Sequence, residues 1–267
     1  MRLIIKDNTS RLFFIVNPGS GNNTINWKDE IENYYRNSIY AILVYELTKD
    51  CQSAKIQAEI KKFDPAIVIA ACGDGTVRLA AEAILGQDIC LAILPAGSAN
   101  GLAKELNIPS EAANALAIVT EGKQQSIHLF KINGEVCIHL SDSGFNAALV
   151  KKLEECSLRG QGAHVKAAWN VLWDHEKLSV EIVVDKRKEK HEAVMIVLAN
   201  ATKYGNAVVV NPERTLADEL FEIVIVKKIS MAEMFKMRFT KRTFNKNITE
   251  IVQASVVTIQ SKLKFHF

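Results

Sequence analysis

The sequence predicts an α/β chain: a parallel sheet with helices on its faces, followed by an antiparallel, β-sandwich-like region. Three observations predict it. Strand-like and helix-like segments alternate through Gly122, the pattern of a parallel sheet covered on both faces. Beyond Gly122 the segments change to short runs of alternating hydrophobicity separated by turn residues. Finally, the first, third and fourth strands each run into a glycine-rich turn.

Taken in order, Leu12–Val16 reads as the first strand and Trp27–Asn37 as a helix, with Tyr40–Tyr45 as the second strand and Ser53–Lys62 as the next helix. Ala66–Ala70 and Ile89–Leu94 are aliphatic, β-branched runs of strand length, and each precedes a tight turn and helix-forming sequence, Val77–Leu85 and Leu102–Leu106. Ala112–Glu121 closes the alternation. The second region reads as strands Ser126–Ile132, Glu135–Leu140, Leu178–Val184, Ala193–Leu198 and Glu222–Val226, with Ala254–Gln260 and Leu263–Phe267 as a late pair. Asn133-Gly134 is a strong hairpin turn between the first two. The charged run Asp185–Glu192 reads as the solvated tip of a second hairpin. The domain boundary falls at 124/125, giving domains 1–124 and 125–267.

Composition excludes several classes. With 24% charged and 48% hydrophobic residues over 267 positions, the chain can bury a substantial core. A net charge of +3 is too small to point to nucleic acid. Five cysteines (51, 72, 90, 137, 156) are odd in number and lack metal-ligand spacing; Cys90 and Cys137 read as buried thiols in a reducing compartment. The start, Met1-Arg2-Leu3-Ile4-Ile5-Lys6-Asp7, does not read as a signal peptide, and no stretch is long and apolar enough to span a bilayer. A cytoplasmic protein is expected.

The turns carry the chemistry. Asn17-Pro18-Gly19-Ser20-Gly21, Gly73-Asp74-Gly75-Thr76 and Pro95–Gly101 all follow strands, and a strand–glycine turn–helix joint points backbone N–H groups at an anion. Parallel strands place these turns on one sheet edge, where open α/β sheets hold ligands. One such turn is often just a tight connection; three together read as a nucleotide site. Gly73, Gly75 and Gly97 leave room for backbone to approach phosphate, and Thr76 and Ser98 add hydroxyl donors. No Gly-Lys-Ser/Thr follows a spaced glycine, so a P-loop is not supported, and the first strand carries no Gly-x-Gly-x-x-Gly.

The set resembles the diacylglycerol kinase-like lipid kinases, which include bacterial diacylglycerol kinases and the sphingosine and ceramide kinases. The matching motifs are Asn17–Gly21, Cys72–Thr76, Pro95–Asn100, Gly144-Phe145-Asn146-Ala147 and Pro212…Asp218-Glu219, in family order from about residue 10 to residue 226. The resemblance implies ATP-dependent phosphorylation of a hydroxyl of diacylglycerol or a related lipid, sphingoid bases included. It implies nucleotide contacts at Asn17, Thr48, Ala71, Cys72, Gly73, Asp74, Gly75, Thr76, Val77, Gly97 and Ser98. A helix cap is the competing use of Thr48. It also implies Mg²⁺ held by the Asp218 side chain and the carbonyls of Thr215 and Leu220, an oxygen-only set that suits a hard cation.

The chain departs from the family at several positions. Cys72 replaces a glycine, Leu79 a glutamate, Gly101 an aspartate, and Glu219 the glycine that follows the metal-binding Asp. The family's presumed base, the Glu of an Asp-Gly-Glu, does not occur in these 267 residues. His266 is of the right type but reads as an ordinary half-buried strand residue; Asp74, which serves as base in the sphingosine kinase branch, is the substitute.

Two rival readings stand beside the lipid kinase: a nucleotide-binding homologue without catalysis, and a soluble NAD kinase-like enzyme, which shares the Gly-Gly-Asp-Gly-Thr turn. The resemblance also allows a homodimer and implies a lipid substrate met at the inner membrane surface, with no nucleic acid partner. Between Lys227 and Lys246 seven Lys/Arg stand against one acid, Glu233, interleaved with Met and Phe. That segment is either an ordinary amphipathic helix or a patch that docks on anionic lipid.

Overall fold

A computed structural model describes residues 11–20, 25–48, 52–144, 177–200, 203–204, 208–209, 219–228 and 248–261. The chain divides into two compact units, Met1–Gln125 and Ser126–Phe267.

The first unit holds strands β1 (Arg11–Val16), β2 (Ala41–Glu46), β3 (Ile67–Cys72) and β4 (Cys90–Pro95) and helices α1 (Trp27–Tyr35), α2 (Ser53–Phe63), α3 (Asp74–Ile84), α4 (Gly101–Glu105) and α5 (Ala112–Glu121). The strands form a parallel sheet in the order β2-β1-β3-β4. β1 and β3 are central and buried on both faces, hence their unbroken aliphatic and aromatic runs. On one face Leu12, Phe14 and Val16 meet Trp27, Ile31 and Tyr35 of α1 and Ala115, Leu116 and Val119 of α5. The three α1 residues recur every four positions, which gives the helix one apolar stripe. Tyr35 ties the two helices together by donating its hydroxyl to the Leu116 carbonyl at 3.2 Å. On the other face Phe13 lies against Tyr45 and Phe63, the last residue of α2.

The start of α3 differs from expectation. α3 begins at Asp74 rather than Val77, because the Gly73 carbonyl already accepts from the amides of Thr76 and Val77. Asp74, Gly75 and Thr76 are therefore the first turn of a helix. α2 begins at Ser53 as expected, and its N-cap position is Gln52, which makes no side-chain cap bond, so Thr48 is not the cap residue.

In the second unit β5 (Phe130–Ile132) and β6 (Glu135–Cys137) form a hairpin whose turn residues, Asn133 and Gly134, both have positive φ, 51° and 93°. β7 (Leu140–Gly144) leaves that hairpin for another sheet, so the single strand expected over Glu135–Leu140 is two. β8 (Leu178–Val184) and β9 (Arg187–Ala193) form the second hairpin. Its turn is only Asp185-Lys186, with φ of 48° and 68°. The charged run expected as a turn is thus mostly β9, an edge strand where exposed charge discourages pairing with another chain.

β10 (Met195–Ala199), β11 (Lys203–Tyr204), β12 (Val208–Val209), β13 (Phe221–Val226), β14 (Thr249–Ala254) and β15 (Thr258–Ser261) complete the unit. The sheets are antiparallel: β14-β13-β10-β7, β15-β8-β9 and the short pair β11-β12. Ile196, Leu198, Phe221, Ile223 and Ile225 of the first meet Leu178, Val180 and Ile182 of the second, which makes a sandwich core. The strand expected over Ala254–Gln260 breaks at Ser255–Val257, where the chain passes from one sheet to the other. The expected strand Leu263–Phe267 lies outside the described residues. Among the described cysteines Cys72 is buried, whereas Cys90 and Cys137, expected to be buried, are partly exposed.

Candidate functional site

The order β2-β1-β3-β4 reverses direction between β1 and β3, and at such a point the loops after the two strands separate to leave a crevice at the carboxyl edge. Asn17 follows β1 and Gly73 follows β3, one on each side. Thr48, exposed two residues past β2, lies on the same edge, with Leu47 donating its amide to the Val16 carbonyl at 2.8 Å.

Asn17 joins the first loop to the second. Its amide donates to the Ala71 carbonyl at 3.3 Å, and its side-chain Nδ2 donates to Thr76 Oγ1 at 3.3 Å. Its Oδ1 accepts from the Gly19 amide at 3.0 Å, which shapes its own turn. Thr76 is buried, and its hydroxyl also bonds the Cys72 thiol. Burial pushes that thiol up to about 12, so Cys72 stays neutral under the turn.

The third loop is tied to the second just as closely. Asp74 accepts from the amides of Gly101 (Oδ2, 3.0 Å) and Leu102 (Oδ1, 3.2 Å), and so caps α4 from another element. Asn100, the local cap residue of α4, has φ of 50° and its side chain grips Gly97 instead. Oδ1 takes the Gly97 amide at 2.8 Å and Nδ2 donates to the Gly97 carbonyl at 2.7 Å. Gly97 is a glycine for steric reasons: a Cβ there would stand 2.4 Å from Gly73 Cα. Its φ is not in the left-handed region.

Gly75 is different. A Cβ there meets nothing within 4 Å. It sits in the first turn of an eleven-residue helix whose cap, Gly73, has no side chain to occupy the leading amides. No side-chain cap hydrogen bond is made at this helix start, and uncapped leading amides at the positive end of a helix dipole are the arrangement that receives an anion. Ser98 is exposed on the neighbouring loop, and Ala71, Cys72 and Val77 form the buried floor.

The residues expected to hold Mg²⁺ are only partly described: Thr215 and Asp218 lie outside the described residues. Leu220 immediately precedes β13, and its carbonyl lies 2.7 Å from His128 Nε2. Gly144 ends β7, and the rest of that motif, Phe145-Asn146-Ala147, lies outside the described residues, as does all of the basic segment after Lys228. Asn100 and His128 were not singled out from the sequence. Asn100 carried a signal, its fixed place in the third turn; His128 carried none, because its partners are 91 and 92 residues away in the chain.

No described helix is long and apolar enough to cross a membrane. The family profile for the diacylglycerol kinase catalytic domain matches residues 11–132, and that for the YegS C-terminal NAD kinase beta sandwich-like domain matches residues 140–266. Among curated relatives, a diacylglycerol kinase of Bacillus subtilis (strain 168) is 27% identical over 195 residues, 70% of this chain and 63% of that protein. A probable lipid kinase YegS-like of Pectobacterium atrosepticum is 28% identical over 172 residues, 60% of this chain and 56% of that one. The matched region thus spans less than two thirds of these relatives. A crystal structure described as a diacylglycerol kinase from Bacillus anthracis str. Sterne shares the fold, with a TM-score of 0.71 at 19% identity, covering 96% of this chain and 89% of that one. With one profile matching each half, in order, the chain belongs to the diacylglycerol kinase-like lipid kinase family.

Proposed function

We propose that this chain binds ATP at the carboxyl edge of its parallel sheet and transfers the γ-phosphoryl group to a hydroxyl of diacylglycerol or a related lipid. One observation carries the reading: the open space in front of Gly75, beside the uncapped first turn of α3. In this reading the amides of Asp74 and Gly75 receive phosphate oxygens, with Thr76, Ser98 and Asn17 around them. Ala71, Cys72 and Val77 support the turn from below, Gly97 keeps the third loop close, and Thr48 bounds the nucleotide on the β2 side.

Phosphoryl transfer asks the protein for positioning and charge stabilisation above all. A bound Mg²⁺ supplies neutralisation of phosphate charge. The carboxylate of Asp218 and the carbonyls of Thr215 and Leu220 are hard oxygen donors of the kind that cation takes, so the residue set fits it. Asp74 is the proposed proton acceptor within these residues, and the same carboxylate holds α4 in place. A base must first reach the hydroxyl, and its action is worth about 10²–10⁴-fold in rate.

The test is transfer of labelled phosphate from ATP to diacylglycerol in mixed vesicles, with NAD as the competing acceptor. Label in the lipid supports the reading. Label in NAD alone replaces it with the NAD kinase-like reading, and ATP binding without transfer to either replaces it with a non-catalytic homologue.

A further inference from the structure

One margin of the sandwich carries polar side chains at positions where strand alternation calls for apolar ones. In the β8-β9 hairpin Glu189 stands opposite Ile182 and His191 opposite Val180, and directly opposite residues share a face of the sheet. Val180 and Ile182 belong to the sandwich core, so Glu189 and His191 lie on the inner face of their sheet. Glu250 of β14 stands opposite Ile225, another core residue, and so lies on the inner face of the facing sheet. β9 and β14 are each the last strand of their sheet. The two sheets thus bring an imidazole and two carboxylates together at a shared edge.

The spacing is that of ligands rather than of hydrogen bonds. His191 Nε2 lies 3.6 Å from Glu189 Oε2, and its Nδ1 lies 3.6 Å from Glu250 Oε2. Both distances exceed hydrogen-bond length. Yet the His191 side chain is only 9% exposed, and neither ring nitrogen has a partner at hydrogen-bond length among the described residues. A nitrogen and an oxygen that share a tetrahedral zinc ion stand about 3.4 Å apart. One donor atom from each of the three residues lies within 4.8 Å of the other two. Drawing them onto zinc-length bonds asks each to move by about 0.7 Å at most. Glu189 and Glu250 side chains, 62% and 33% exposed, have the freedom to do so.

Charge points the same way. Lys227 Nζ lies 2.6 Å from Glu250 Oε2 and offsets that carboxylate. Glu189 has no Lys or Arg partner among the described residues. One negative charge is therefore left over beside a buried imidazole.

We propose that Glu189, His191 and Glu250 form a zinc-type divalent metal site that staples β9 to β14. Imidazole nitrogen favours such an ion over Mg²⁺ or Ca²⁺, which take oxygen ligands. Water completes the coordination, and the ion joins the free edges of the two sheets. The site uses no residue of the nucleotide edge or of the expected Mg²⁺ set, so it stands or falls apart from the kinase reading.

The experiment is calorimetric titration of the full chain with Zn²⁺ in a non-chelating buffer, with thermal unfolding of each variant with and without the ion. Wild type is expected to bind Zn²⁺ and to melt at a higher temperature in its presence. H191Q and E189Q are each expected to weaken binding by at least about tenfold, since losing a ligand costs no less than losing an outer-shell partner. K227M removes the competing cation and is expected to tighten binding. Excess Mg²⁺ should not displace the zinc. E189Q changes an exposed side chain, so it carries the test if H191Q does not fold. Absence of Zn²⁺ binding by wild type, or equal affinity in wild type and E189Q, would overturn the proposal. Displacement by Mg²⁺ at comparable concentration would overturn it as well, because it would show a site of oxygen ligands alone.

Discussion

Gly97 and Gly73 meet backbone to backbone: a Cβ on Gly97 would lie 2.4 Å from Gly73 Cα and 3.1 Å from Gly73 N. The loops after β3 and β4 are thus in contact along their chains, and the partner atoms are backbone, which cannot rotate away. Gly97→Ala is expected to destabilise the protein by about 1–3 kcal/mol, the range for overpacking a tight site. Thermal unfolding checks it, and a melting temperature equal to wild type would show that the two loops have room to separate.

Asp74 carries two amides of α4 on its two oxygens. Asp74→Ala leaves both without their acceptor and is expected to cost about 1.5–3 kcal/mol, the range for hydrogen bonds to a charged group. Asp74→Asn keeps one acceptor and is expected to cost less. Denaturant unfolding, with amide exchange at Gly101 and Leu102, measures both effects. Slow exchange at these amides in Asp74→Ala would show that α4 holds its place without the cap.

Cys72 gives a pH dependence of definite sign. Burial raises its folded-state value from 9.0 to about 12, so the folded protein keeps a proton that the unfolded chain loses. This contribution is fully present below pH 9 and is lost as pH rises toward 12. Wild type should therefore lose more stability than Cys72→Ser across that window, and iodoacetamide should label Cys72 slowly until the protein unfolds. Parallel stability curves would show that the thiol is hydrated in the native state.

The basic segment from Lys227 to Lys246 predicts a surface interaction. Lys227 and Lys228 are exposed at its start, and each basic residue near an anionic membrane contributes about 1 kcal/mol, screened by salt. Binding to anionic but not neutral vesicles is expected, weakened by salt and by Lys241→Glu with Arg242→Glu. Equal sedimentation of wild type and double variant with anionic vesicles at low salt would remove the segment from lipid docking.

Most of the first unit was legible in the sequence because its elements bury themselves. β1 and β3 are unbroken apolar runs, and α1 repeats Trp27, Ile31 and Tyr35 at helical spacing. What was not legible depended on partners distant in the chain. The start of α3 moved to Asp74 because a glycine carbonyl could close the first turn. The charged run Arg187–Glu192 became a strand because β8 offers it an edge, and only Asp185-Lys186 was needed to turn. Ala254–Gln260 split because its two ends pair with different sheets. The glycine at 97 was legible as a requirement, but the reason for it, Gly73, was not. The contact between His128 and Glu219–Leu220 left no local trace at all.

The most direct test of the proposed nucleotide edge uses Gly75, where a Cβ meets no described atom within 4 Å. Gly75→Val adds a side chain only to that space, so the fold should keep wild-type stability or gain slightly from losing a helix glycine. Titration of ATP–Mg²⁺ into both folded proteins by calorimetry is expected to show binding by wild type and at least about tenfold weaker binding by Gly75→Val, a difference of about 1.4 kcal/mol. Equal affinity, with both proteins folded, would contradict phosphate binding in front of α3.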